Sequence, residues 1–340
     1  MKLMDIANAA GVSTATVSNV INGNHSKVSA ANIKRIQKLI KQFNYVPKAS
    51  ARNLASKHTK MLGVVIPGEL YADGNPHNAL LLSSFEQCIR VHGYYLLLRC
   101  ADTIEDAVTT LTMWDVDGAI ILGYLDPDMD TVLKAGRRNF PVVLVDSYLE
   151  AEYPNSMVIR LNDYKGGYTA GRYLVDKGHK ALAFVGASYN NSGVVTQRYN
   201  GFRDALAEDG LQAEKLDFKI SYRDGLKAGT EICRLNAERS PNERLTAVFA
   251  SSDIAAVGII EGLRQRELRV PEDLSVIGFD NAHFCNYTGL TTMKQDVQRK
   301  AELAAELLIG SIAGKTQVGI SILEPELVER GSVGCPAAIM

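Results

Sequence analysis

Two aspartates close apolar runs: Asp146 ends PVVLVD and Asp280 ends SVIGFD. Ser252 and Asp253 follow AVFAS, and Tyr222 opens the short polar stretch after DFKIS. In open α/β sheets, ligands sit beyond the carboxyl ends of strands, so these side chains are the candidates for holding one. Their chemistry is hydrogen bonding to hydroxyl, amide or cationic groups. A strand-end Asp has a second reading, as the N-cap of the following helix; Asp253 reads best as the cap of IAAVGIIEG. The motifs that break bonds are missing: there is no GxxxxGK[ST] loop, no HExxH, no GxSxG elbow, and no GxGxxG opening a helix. The six histidines (His25, His58, His77, His92, His179, His283) show no metal-ligand spacing, so no metal, cofactor or enzymatic role is expected. His179, in KGHKALAFVG, reads as a packing or capping residue ahead of a strand.

A second group of polar side chains lies near the start, in DIANAAGVSTATVSNVING. Leu3, Ile6, Ala7 and Ala10 recur at helical spacing, Gly11 breaks the helix, and Ser13 is placed to cap another. The second helix, residues 14–20, turns Val17 and Ile21 inward and leaves Thr14, Ala15, Asn19 and Asn22 outward. Ser29 caps a third, with Ile33, Ile36, Ile40 and Phe43 as its apolar stripe and Lys34, Arg35, Lys38 and Lys41 off it. Three helices in this order make a helix-turn-helix unit, whose second helix reads base edges while Ser, Thr and Lys groups hold phosphates. Charge supports this. The first sixty residues hold ten Lys/Arg and one acidic residue, a net of +9, whereas the remainder carries a net of −10. The chain's overall charge of −1 conceals both. After Pro47, KASARNLASKHTK is basic and Ala-rich, either a passive linker or a helix that orders on DNA and wedges Leu54 into the minor groove.

The elements that position the strand-end groups are apolar runs alternating with helical stretches. Strands are expected at 63–67, 95–100, 118–123, 141–146, 181–186, 217–220, 247–251 and 275–280, the pattern of parallel sheets covered on both faces. Eight units fall into two sets of four, with a break near 160–163. With 340 residues, 46% hydrophobic and 22% charged, the composition is that of a soluble globular protein. No run approaches a membrane span, and the N-terminus lacks a signal-peptide pattern. Five scattered cysteines without a CxxC argue against disulfides and zinc and fit a reducing cytoplasm.

DIANAAGVSTATVSNVING followed by YVPKASARNLASKHTKMLGVVIP resembles the LacI–GalR family of bacterial transcription regulators. The resemblance continues through VDGAIILG, PVVLVDS, KGHKALAFVG, VFASSDIAAVG, VPEDLSVIGFDN, LTTMKQD and LVERGS, essentially the whole chain. It implies an α/β fold of two doubly wound parallel-sheet subdomains, like those of periplasmic binding proteins, preceded by an all-α headpiece. The implied boundaries are 1–46 for the headpiece, 47–58 for a hinge helix, 59–160 with about 291–320 for one subdomain, and 161–290 with about 321–340 for the other.

Carried over by position, Thr14, Ala15 and Asn19 fall where the family reads bases. Ser13, Thr16, Ser18, Asn22 and Tyr45 fall at phosphate contacts, Leu54 at the minor-groove wedge, and Arg52 and Ala55 beside it in the hinge. The family often has Arg at the Asn19 position, where it grips guanine; Asn favours adenine and implies a different half-site. Residues 23–28 form a turn one residue longer than usual. Asp146, Arg198, Ser252, Asp280 and Gln295 fall at effector-cleft positions, and Tyr222 follows a strand nearby. The loop IPGELYADGNPHNA is lengthened and lacks the usual aromatics, so Tyr71, His77 or Asn78 must take their place. The helix over 81–92 is expected in a dimer seam. The function implied is an effector-responsive repressor that binds a pseudo-palindromic operator as a homodimer and senses a small polar metabolite, a sugar first of all. The alternative is a catabolite-control-type regulator using a phosphorylated carrier protein or a non-sugar corepressor. A transport binding protein has no use for the basic headpiece, and an enzyme would need a reactive constellation.

Overall fold

The structure, a computed structural model, describes residues 2–46, 58–67, 76–101, 103–123, 140–148, 157–187, 193–315 and 319–336. Tyr71 and the hinge residues Arg52, Leu54 and Ala55 lie outside the described residues. The chain divides into two compact units, Met1–Thr59 and Lys60–Met340.

In the small unit, helices α1 (Leu3–Ala10), α2 (Thr14–Ile21) and α3 (Ala30–Gln42) surround a core of Ile6, Ala7, Ala10, Val17, Val20 and Ile36. Gly11 ends α1 with φ of 64°, a left-handed turn that glycine adopts without a Cβ penalty. Ser13 then caps α2, its hydroxyl accepting from Thr16 N at 3.1 Å, and Ser29 caps α3 in the same way. Val20 is buried more deeply than Ile21, so the inward face of α2 is rotated slightly from the expected one.

The large unit is built on two six-stranded sheets. The first contains β1 (Met61–Pro67), β2 (Tyr95–Ala101), β3 (Gly118–Leu122), β4 (Val142–Val145), β5 (Met157–Leu161) and β11 (Gly319–Leu323). Its order is β11-β5-β4-β3-β1-β2, and every pairing is parallel. The second contains β6 (Leu182–Gly186), β7 (Ala213–Asp217), β8 (Ala247–Ala250), β9 (Ser275–Asp280), β10 (Thr291–Lys294) and β12 (Glu326–Val328). Its order is β12-β10-β9-β8-β6-β7, parallel except for β12 on β10.

Helices cover both faces of each sheet, which is why the strands read as unbroken apolar runs. Helices α4 (Pro76–Arg90) and α11 (Val297–Ile312) cover one face of the first sheet through Leu81, Phe85, Ile89, Ala304 and Leu308. Helix α5 (Ile104–Met113) covers the other. On the second sheet, α6 (Asp163–Asp176) and α7 (Gly193–Ala207) enclose Phe184, Phe202, Phe249 and Phe279. Helices α8 (Tyr222–Glu238) and α9 (Asp253–Arg264) cover the opposite face, and the short α10 (Cys285–Thr288) follows β9. No helix among the described residues is long and apolar enough to cross a membrane.

The structure differs from expectation at three of the sheet edges and in the strands next to two of them. β7 lies at Ala213–Asp217, ahead of the DFKI run, because an edge strand alternates half-buried and exposed positions and needs little apolar content. Four further strands, β5, β10, β11 and β12, bring each sheet to six rather than four. β10 pairs with β9 and β11 with β5. The chain therefore changes sheets after Leu161, after Lys294 and after Leu323, placing 291–294 in the second sheet and 319–323 in the first.

Candidate functional site

The two strand-end aspartates have unusual backbones. Asp146 has φ of 56° and Asp280 φ of 124°, with Asn281 following at 58°. Positive φ is uncommon outside glycine and costs about 1–3 kcal/mol at each position in sparsely populated regions. Such strain concentrates where a side chain must be aimed, and both carboxylates join one polar network.

Lys300, on α11, donates to Asp146 Oδ1 at 2.7 Å and to Gln295 Oε1 at 2.8 Å. Gln295 Nε2 donates to Asp280 Oδ1 at 2.6 Å, and His77 Nε2 lies 3.6 Å from Asp146 Oδ2. On the other side, Arg198 Nε donates to Asp163 Oδ1 at 2.8 Å and its Nη1 to the Ser251 carbonyl at 2.6 Å. The same Nη1 stands 4.0 Å from Asp280 Oδ1, and the guanidinium lies 3.5 Å over the Phe279 ring centroid. Tyr148, just beyond β4, shares its hydroxyl proton between Asp163 Oδ2 and the Leu161 carbonyl, each 2.7 Å away. Groups from both sheets thus meet in a continuous chain of polar contacts.

Electrostatics assigns the charges. Burial by itself would raise the Asp146 carboxyl, but Lys300 and His77 outweigh it and hold the group well below the usual carboxylate range. Asp163 goes the other way, because burial outweighs Arg198 and raises it. Burial together with Asp163 pushes the Tyr148 phenol well above its ordinary value. Burial opposes the charge on Arg198, yet Asp163 and Asp280 override it and raise the guanidinium. These are acidic and basic groups and donors suited to gripping a polar ligand. Among the described residues, no group of His, Cys, Asp and Glu could hold a metal.

Of the expected cleft residues, Asp146, Arg198, Asp280, Gln295 and His77 come together in this network. Asn78 sits beside His77 in the first turn of α4, half-buried. Ser252 is buried, but its hydroxyl caps α9 by accepting from Ala255 N at 3.3 Å. Asp253, expected as that cap, instead accepts from Ala282 N at 2.7 Å, Thr292 Oγ1 at 2.5 Å and Cys285 Sγ at 3.1 Å. The cap role expected of Asp253 thus falls to Ser252, since the serine hydroxyl reaches back to the helix while the longer carboxylate crosses to the strand-end loops. Tyr222 is 42% exposed at the start of α8, with no hydrogen bond into the network. His179 bridges Thr246 Oγ1 and the Gly334 carbonyl, each at 3.0 Å, in the packing role expected of it.

Sequence reasoning missed Lys300, Asp163 and Tyr148. Lys300 carried a signal: it falls on the stripe Val297, Ala301, Ala304 and Leu308, where a charge is out of place. Asp163 looks like any helix-start acid, and its partner Arg198 is 35 residues away.

In the small unit, Thr14 and Ala15 are exposed and Asn19 half-exposed on one side of α2. Ser13 pairs with Thr16 Oγ1 at 2.9 Å, and Asn22 Nδ2 donates to Ser18 Oγ at 3.2 Å. Tyr45 packs against the core, and Lys34, Arg35, Lys38 and Lys41 are exposed on α3. The outward side of α2 is small and polar, and the same unit carries these exposed basic side chains on α3.

Residues 2–48 match the model of bacterial regulatory proteins of the lacI family, and residues 172–333 match a periplasmic binding protein-like domain. The HTH-type transcriptional repressor PurR of Mannheimia succiniciproducens is 34% identical, over 97% of this chain and 98% of its own. The chain belongs to the LacI family. As a LacI-family protein it is a DNA-binding transcription regulator with an effector-sensing core. The Lac repressor dimer bound to operator and the anti-inducer ONPF shares the fold, with a TM-score of 0.84, 24% identity and coverage of 98% of this chain and 99% of its own. A LacI family regulator from Enterococcus faecium with bound ribose gives a TM-score of 0.69 at 28% identity, covering 81% of this chain and 99% of its own.

Proposed function

We propose that this LacI-family protein represses transcription by binding a pseudo-palindromic operator as a homodimer, and that a small polar metabolite, a sugar first of all, sets its DNA affinity from the cleft between the two sheets. The observation that carries this reading is the buried chain of carboxylates, amide and guanidinium from Asp146 to Asp163. Its alternation of acceptors and donors matches a ring of hydroxyls. The ribose-bound relative supports the sugar reading.

On the DNA side, Thr14, Ala15 and Asn19 read base edges, while Ser13, Thr16, Ser18, Asn22 and Tyr45 hold the headpiece on phosphates. Arg52, Leu54 and Ala55 belong to a hinge helix in which Leu54 wedges the minor groove. The dimer seam includes α4, and the protein works in the cytoplasm. Effector binding shifts the population of two arrangements of the sheets, and couplings of about 1–3 kcal/mol change operator affinity roughly 5- to 150-fold.

A thermal-shift screen of sugars, sugar phosphates and nucleobases, repeated with Arg198→Ala, tests the cleft. The expected result is a sugar that raises the unfolding midpoint of the wild type but not of the variant, and that changes operator affinity. A ligand whose effect survives Arg198→Ala, or leaves DNA binding untouched, overturns the assignment. A nucleobase as the sole ligand moves the reading to a non-sugar corepressor.

A further inference from the structure

Lys300 alone among the described lysines is fully buried, at 0% exposure. It projects from the stripe by which α11 packs on the first sheet, where Val297, Ala301, Ala304 and Leu308 are apolar. A buried ammonium is costly unless it is paired and fully hydrogen-bonded. Here it donates to Asp146 Oδ1 at 2.7 Å and to Gln295 Oε1 at 2.8 Å.

We propose that Lys300 is a positioning residue that fixes the charge and hydrogen-bond polarity of the cleft, and that the cleft is thereby built for an uncharged, hydroxyl-rich ligand and against an anion. This rests on the reading of the cleft as the effector site. An ammonium only donates, so Gln295 must turn Oε1 toward it. That leaves Nε2 to donate to Asp280 Oδ1 at 2.6 Å. One buried charge therefore sets the amide's orientation and ties together two strand-end aspartates, one from each sheet.

The same contacts commit the cations. Lys300 is matched by Asp146, while Arg198 is matched by Asp163, with Asp280 at 4.0 Å. Three acidic side chains face one lysine and one arginine, so a ligand phosphate or carboxylate would meet Asp146 and Asp280 without surplus positive charge. Ligand hydroxyls meet no such penalty, because they donate to these carboxylates and accept from the amide and guanidinium. The groups facing Asp146 are Lys300 and His77, with Asp163 and Arg198 farther off and Asp280 joined through Gln295.

The test compares thermal unfolding of the full-length wild type, Lys300→Met and Lys300→Met/Asp146→Asn between pH 4.5 and 8. In the wild type the Asp146 pair persists well into acid, because its carboxyl is held below the usual range. Without the ammonium, burial raises that carboxyl above its unfolded value. Stability is then retained in acid, where Asp146 is protonated, and lost as pH rises through the raised value. Lys300→Met should therefore unfold roughly 5–10 °C below wild type at pH 8 and less than half that at pH 4.5. The double variant should recover most of the loss and flatten the pH response. The same comparison in a His77→Gln background takes away the other side chain beside Asp146 Oδ2 and should give the same trend. Calorimetry on the wild type then sets ribose against ribose 5-phosphate and glucose against gluconate, with the neutral member of a pair binding at least tenfold more tightly.

A loss in Lys300→Met that is equal at all pH values and unrepaired by Asp146→Asn makes Lys300 a packing residue and overturns its positioning role. Tighter binding of the anionic member overturns the ligand class. Binding of none of the four counts against the sugar reading of the cleft, while the pH-resolved comparison still decides Lys300.

Discussion

Arg198 and Asp163 are buried together, and each makes the other tolerable. Removing the guanidinium leaves a carboxyl that burial already raises, next to the Tyr148 hydroxyl. Arg198→Met should therefore cost roughly 3–5 kcal/mol in chemical unfolding, and Arg198→Met/Asp163→Asn should recover most of it. Failure of the second substitution to compensate would show that the two charges are not energetically linked. His179 offers a separate check, since burial lowers it and its neutral ring fits the Thr246 hydroxyl and Gly334 carbonyl. A depressed histidine contributes stability above its ordinary value near 6.5, and that stability is lost as pH falls through the lower folded value. Unfolding midpoints should drop as pH falls below 6.5, and His179→Gln should reduce that slope. At this scale the sequence made the strand-end aspartates legible, because sheet topology alone selects them. Lys300 and Asp146 are 154 residues apart, and only the folded sheet order brings them into contact.

The helix pair α6 and α7 sets the distance between Asp163 and Arg198. The two helices cross at glycines: a Cβ on Gly201 would run into the Tyr164 carbonyl oxygen, and one on Gly167 into that of Arg198. Neither neighbour can give way, because each is backbone within a helix. Gly201→Ala should cost roughly 2–3 kcal/mol in urea unfolding and weaken effector binding by moving Arg198. Wild-type stability and affinity in this variant would show that the helices can separate without consequence. Central strands were legible because burial on both faces leaves a continuous apolar run, as in β3, β4 and β8. The edge strands β7 and β11 were not, since they are partly exposed and carry residues such as Glu214, Lys215 and Ser321, whereas the edge strand β2 was legible from its YLLL run. The three headpiece helices were readable from caps as well as stripes, Ser13 and Ser29 both acting as the spacing implied.

Across the whole molecule, charge is unevenly divided. The first sixty residues carry a net +9, yet the outward side of α2 presents Thr14, Ala15 and Asn19, none of them charged. On the proposed reading, affinity follows phosphate neutralisation and falls steeply with salt, while selectivity follows a few neutral side chains and the hinge. Leu54→Ala should weaken operator binding by tenfold or more and nonspecific duplex binding by less than threefold in anisotropy titrations. Equal losses on both DNAs would remove the wedge. The most direct measurement is selection of bound sites by the full-length protein from a random duplex library, repeated with Asn19→Arg. The expected result is a two-fold symmetric site for the wild type, and for Asn19→Arg a switch toward guanine at one position, mirrored in both half-sites. An enriched site without symmetry, or one unchanged by Asn19→Arg, would contradict it.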